Sequence, residues 1–184
     1  LESETILKDA LVRILSLLKA HAGGIFLHDE ETQQPLLKRS LRDSASEQVS
    51  RIFAPSSLAL YEYLDNRAHT HLLPFFLNDF SELPEPQKAI LAETDFHTLY
   101  SIPLKSKDMI LGLLVVFSRN RQQLDEQERQ FLQSIGNQIG ITIENIMLYQ
   151  QEIHNREHLE VLNKMKDEFV AIVSHDLRSP LTAI

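Results

Sequence analysis

His175 and Asp176 are adjacent in the stretch Phe169–Ala183, which reads FVAIVSHDLRSPLTA. An imidazole beside a carboxylate on a helix surface supplies a nucleophile and a base to take its proton. By itself such a pair is a weak signal, because helix surfaces carry many. Ser179 adds a hydroxyl four residues after His175. His69 and His71 are the other pair with chemical potential. On a strand they would place two imidazoles on one side, half of a zinc site, but the sequence shows no third ligand for them. There is no cysteine, which excludes disulfides, thiolate metal ligands, Cys nucleophiles and a thioether-linked chromophore.

The turn around His175 has a distinctive pattern. With a helical advance of about 100° per residue, Leu162, Met165, Ile172 and Val173 lie within about 60° of Phe169. His175 falls about 120° from that seam and faces outward, whereas Asp176 falls close to it. Downstream, Leu177, Leu181 and Ile184 centre near 90°, so the apolar stripe turns at His175. Pro180 lacks a backbone N–H and is expected to bend the helix near Asp176.

The 184 residues carry a formal charge of −8 and 43% hydrophobic side chains. That suffices for one domain with a core and some additional structure. The negative charge disfavours nucleic acid and anionic membrane surfaces as partners. No apolar run approaches the roughly 20 residues of a membrane span, so a cytoplasmic location is expected. The chain opens on Leu1 rather than Met, and it is expected to be part of a longer protein.

Helical spacing of Leu7, Leu11, Ile14 and Leu18 predicts a helix over residues 2–20, stopped by Gly23 and Gly24. Ile25–His28 and Pro35–Leu41 flank a polar turn and read as a hairpin. Ser56 or Ser57 is positioned to cap a helix over 58–66. His71–Phe76, interrupted by Pro74, reads as an edge strand. Residues 78–93 read as a loop with a short helix near 86–92. His97–Leu104 and Met109–Phe117 are strands joined by a polar turn, and the second is apolar enough to be covered on both faces. A helix then begins near Leu124. If it continues to Ser179 it extends about 80 Å at a rise of ~1.5 Å per residue.

Along that helix Ile135, Ile139, Thr142, Ile146, Tyr149 and Ile153 step by three and four, as in a coiled-coil seam. The seam changes phase before Leu162, across the polar residues HNREHLE. The predicted fold is α+β: an antiparallel sheet flanked by helices, followed by a long C-terminal coiled-coil helix.

Three segments, GGIFLHDEET, SIPLKSKDMILGLLVVFS and LDEQERQFLQSIGNQIGITIENIMLY, resemble the GAF domain, the small-molecule sensor module of many signalling proteins. The resemblance covers residues 1–150. It implies a pocket between the sheet, the helix near 58–66 and the loop near 76–96. The Asn-Lys-Phe-Asp-Glu constellation of cyclic-nucleotide-binding members is absent from the sequence. His69, His71 and His97 lie near the expected pocket and read as polar histidines on loops and strand ends. No haem, bilin or metal is expected, and an unidentified small ligand remains open.

Ser174-His175-Asp176-Leu177-Arg178-Ser179-Pro180-Leu181 resembles the phosphoacceptor motif of sensor histidine kinases, usually Ser-His-Glu-Leu-Arg-Thr-Pro-Leu. The resemblance divides the remaining chain into a signalling helix, 151–161, and the first part of a dimerisation and phosphoacceptor helix, 162–184. It implies that His175 accepts phosphate, that Asp176 is the general base, and that Ser179 occupies the position used to dephosphorylate a partner. ATP would act through a catalytic domain outside these residues, a response regulator would receive the phosphate, and the chain would form a homodimer. The alternative is a ligand-binding or purely structural GAF dimerisation module without phosphotransfer.

Overall fold

The computed structural model describes residues 2–28, 35–42, 47–121 and 123–181, with side chains of the last helix described up to residue 173. The elements are α1 (Glu2–Leu17), β1 (Ala22–His28), β2 (Pro35–Arg42), α2 (Glu47–Ile52), α3 (Leu58–His71), β3 (Phe75–Leu77), α4 (Gln87–Ala92), β4 (Thr98–Ser106), β5 (Met109–Ser118) and α5 (Glu126–Leu181). The strands form one five-stranded sheet in the order β2-β1-β5-β4-β3, antiparallel throughout. β5 is central and buried from Leu113 to Ser118, as its unbroken apolar run requires. Pro74 directly precedes the short edge strand β3, where a missing N–H costs no ladder bond.

Register fixes the two faces, because directly paired residues point to the same side. Ile25, Leu114 and Ile102 are successive partners across β1, β5 and β4. This is the face of α1 and of the first turns of α5. A Cβ on Gly23 would stand 3.0 Å from Leu15 and 3.1 Å from Leu11, and Ile102 lies against Gly136 of α5. The opposite face carries the main apolar core, in which Phe26, Leu99, Leu113 and Phe117 pack with Leu60, Tyr61 and Leu64 of α3. Tyr61 stacks on Phe26 with ring centroids 3.7 Å apart, and its hydroxyl donates a 2.6 Å bond to the Ile52 carbonyl.

Several local expectations are corrected. Gly23 and Gly24 do not stop α1. They lie inside β1 without a positive φ, and the helix ends instead where Lys19 turns left-handed at φ 47°. Their smallness serves packing: a Cβ on Gly24 would come within 2.8 Å of Phe53. Ser57 precedes α3 but makes no side-chain cap, because its hydroxyl donates to the Arg51 carbonyl at 2.6 Å. α3 also runs five residues beyond Asn66, to His71, so His69 and His71 lie on a helix and not on a strand.

α5 begins with a reciprocal cap. Asp125 Oδ1 accepts the Glu128 N–H at 2.8 Å, and Glu128 Oε2 accepts the Asp125 N–H at 2.9 Å, satisfying donors a helix start leaves free. The helix then continues without interruption for 56 residues. Leu132, Ile139 and Ile143 are buried in the domain, so Ile139, one position of the expected seam, already has an intrachain role. The chain divides into two compact units, residues 1–144 and 145–184. Among the described residues no helix is long and apolar enough to cross a membrane.

Candidate functional site

Three places bear on the chemistry of this chain, two of them expected from the sequence and one not. The first is the end of α5. His175, Asp176 and Ser179 fall on its helical backbone, which extends to Leu181, and their side chains lie outside the described residues. The turns before them present Leu162, Met165, Phe169 and Ile172 exposed within this single chain, Phe169 by 66%.

The second is a cavity of about 270 Å³ formed around the segment 78–97. Phe80, Leu91 and Phe96 give it apolar walls, while Asp79, Lys88, His97 and Arg121 supply polar groups. It lies at the loop where the family pocket was expected. The correction concerns α3, which contributes none of its lining: that helix is packed tightly on the sheet through Leu60, Tyr61 and Leu64. The Asp79 carboxyl is held below its ordinary value by bonds from Ser81, helped by the nearby charges of Arg121 and Lys88. The site therefore keeps an anion beside two cations, and it suits a small, partly polar molecule.

The third is a cluster on the sheet–α3 layer. His28, the last residue of β1, places Nε2 2.8 Å from Asp65 Oδ1. His69, one helical turn after Asp65, holds Nδ1 3.0 Å from the Asp65 backbone carbonyl and 3.6 Å from its carboxylate. The two imidazole centroids are 5.3 Å apart. The Asp65 hydrogen bond raises the His28 pKa above its ordinary value; partial burial opposes this, and the Asp65 charge and the Ile110 backbone add to it. His71 does not join the cluster. On a helix, residues two apart face different directions, so His69 and His71 do not form the same-side pair that a strand would have given. The i, i+4 spacing of Asp65 and His69 was the available signal, and nothing local in the sequence placed His28 beside it.

Gly136 and Gly140 were also missed. A Cβ on either would overlap the backbone of β4, at Pro103 and Lys105 respectively. Two glycines four apart inside a helix, in a chain with five in all, were the signal for a close helix–sheet approach.

The comparisons with known proteins agree with this architecture. The profile of the GAF domain family matches residues 1–144. The circadian input-output histidine kinase CikA of Thermosynechococcus vestitus is 26% identical over 102 residues, which cover 45% of this chain and 14% of that protein. Among solved structures, GAF3 of Slr1393 from Synechocystis sp. PCC6803 superposes with a TM-score of 0.66 at 13% identity, over 81% of this chain and 98% of the other. The domain of a protein assigned as a two-component sensor histidine kinase from Sinorhizobium meliloti 1021 gives 0.62 at 17% identity, over 81% and 95%. With its five-stranded antiparallel sheet, flanking helices and long C-terminal helix, the chain belongs to the GAF domain family.

Proposed function

We propose that this chain is the sensory and phosphoacceptor portion of a two-component sensor histidine kinase. The observation that carries the reading is the segment Ser174–Leu181, SHDLRSPL, on the same uninterrupted helix that starts in the GAF domain. The relationship to a histidine kinase over 102 residues supports it. In this reading His175 attacks the γ-phosphorus of ATP held by a catalytic domain outside these residues. The N–P bond forms as ADP leaves, and Asp176 accepts the ring proton. The phosphoryl group then passes to an aspartate of a response regulator. Ser179 stands at the position associated with hydrolysis of the phosphate on the partner response regulator; it is shorter than the usual residue and lacks the methyl of threonine or the amide of asparagine, so phosphatase activity is expected to be weak.

Relay from the GAF domain to His175 runs along α5 as a parallel homodimer. Leu162, Met165, Phe169 and Ile172 are the residues that would bury one another across the axis. The polar stretch 154–160 breaks the seam, and a change of helix packing upstream is passed to the acceptor through it. Supplying the matched ATP-binding domain in trans with ATP should place acid-labile phosphate on wild type and not on His175→Ala.

The cavity at 78–97 favours a second reading, a metabolite-binding GAF module without phosphotransfer. Thermal-shift screening of small anionic and amphipathic metabolites tests it. Stabilisation by a metabolite, lost in Arg121→Ala, together with no phosphate on His175, selects that reading.

A further inference from the structure

We propose that His28, Asp65 and His69 form a binding site for a zinc-class divalent cation. One nitrogen from each ring and one carboxylate oxygen lie within 4.8 Å of one another. At metal–ligand bonds of about 2.0–2.1 Å, neighbouring donors of a tetrahedral ion stand roughly 3.3 Å apart. His28 Nε2 stands 2.8 Å from Asp65 Oδ1, and His69 Nδ1 stands 3.6 Å from the other carboxylate oxygen, Oδ2, on either side of that value. Closing the site around one ion requires the Asp65 carboxylate and the exposed His69 ring to rotate about their side-chain bonds.

The surroundings fit a three-ligand centre with one open position. The His28 and Asp65 side chains are 13% and 15% exposed, so two ligands are held in place by packing. His69 is 50% exposed and forms the mouth, where water or an anionic ligand completes the coordination. His69 Nδ1 lies 3.0 Å from the Asp65 carbonyl, an outer bond of the kind that orients a ligating imidazole; it is kept if Nε2 ligates and exchanged for the metal bond if Nδ1 does. Two imidazoles and one carboxylate, with no thiolate, select zinc-like ions over calcium or magnesium.

An ordinary His–Asp ion pair would account for His28 and Asp65 alone. It does not require a second imidazole whose centroid is 5.3 Å from the first. A bound ion would join the end of β1 to α3 and so stabilise the sheet–helix layer.

The test uses the full chain, stripped with a chelator, in a His154→Ala/His158→Ala background. Those two histidines lie four apart on α5 and would take up metal independently. Titration with Co²⁺ is followed by its visible ligand-field bands, and Zn²⁺ is measured by displacement. One cobalt per chain with bands of four-coordinate intensity is expected. His69→Ala and Asp65→Asn should each weaken binding by about 10- to 100-fold, with unchanged helical circular dichroism, while His71→Ala should leave it unaltered. His69→Ala is the decisive variant, because its exposed side chain is removed without disturbing the core. Absence of stoichiometric binding, or equal affinity in His69→Ala and the background protein, overturns the site.

Discussion

The Ser106 hydroxyl donates a 2.6 Å hydrogen bond to the Glu144 carboxylate, joining the end of β4 to α5. Lys107, in the left-handed turn between β4 and β5, adds its ammonium to the same carboxylate at 3.1 Å. The Ser106 bond, and secondarily Lys107, hold the Glu144 carboxyl below its ordinary value of 4.5. The unfolded chain thus binds this proton at higher pH than the folded one. The contribution to stability is complete above about 4.5 and is lost as pH falls through the folded value. Unfolding of wild type and Glu144→Gln should differ at neutral pH and converge in acid. Ser106→Ala should move the loss of that difference to higher pH. A difference independent of pH would contradict the assignment.

Gly140→Ala sets two effects of opposite sign against each other. Alanine gains about 1 kcal/mol of helix propensity. Its Cβ would also overlap the Lys105 backbone, and overpacking against a fixed main chain costs about 1–3 kcal/mol or more. The net change should be a lower denaturant midpoint, and Gly136→Ala should follow it through Pro103. A raised midpoint in either variant would mean that α5 does not approach β4 so closely.

Tyr61→Phe should lower the unfolding free energy by about 1–3 kcal/mol, the cost of leaving a buried carbonyl unpaired. The Ile52 carbonyl loses its 2.6 Å bond while the stack on Phe26 remains. Equilibrium urea unfolding reads the change directly, and an unchanged midpoint would show that water replaces the hydroxyl.

Phe169→Glu should shift the protein from dimer to monomer in sedimentation equilibrium. A charge at a side chain 66% exposed in one chain does no harm to an isolated helix, but it costs heavily inside a dimer seam. Equal association of wild type and variant would remove the seam from the proposed relay.

How much of this was legible in the sequence depends on the range of the interactions. The near-continuous apolar run of β5, the polar turn that joins it to β4 and the proline before β3 are local, and they placed the sheet and its edge. The uninterrupted helical pattern after Leu124 placed α5. Helix ends were less legible, because they are set by contacts: Ser57 gives its hydroxyl to Arg51 instead of capping α3, and α3 continues through His71. The glycines were misread for the same reason. Gly23 and Gly24 look like stops until Leu11, Leu15 and Phe53 are packed against them. The His28–Asp65 contact joins residues 37 apart, which no periodicity encodes. By contrast the segment Ser174–Leu181, on which the proposed acceptor role rests, is a short contiguous motif whose resemblance is carried by residue types alone.

The most direct measurement of the central claim is the phosphate on His175. Wild-type chain incubated with ATP and the ATP-binding domain that the proposal assigns to the same protein should gain acid-labile, base-stable phosphate. His175→Ala should gain none, and Asp176→Asn should gain it far more slowly. Equal acid-labile labelling of wild type and His175→Ala, or no labelling of wild type under conditions where the catalytic domain binds ATP, would contradict the account.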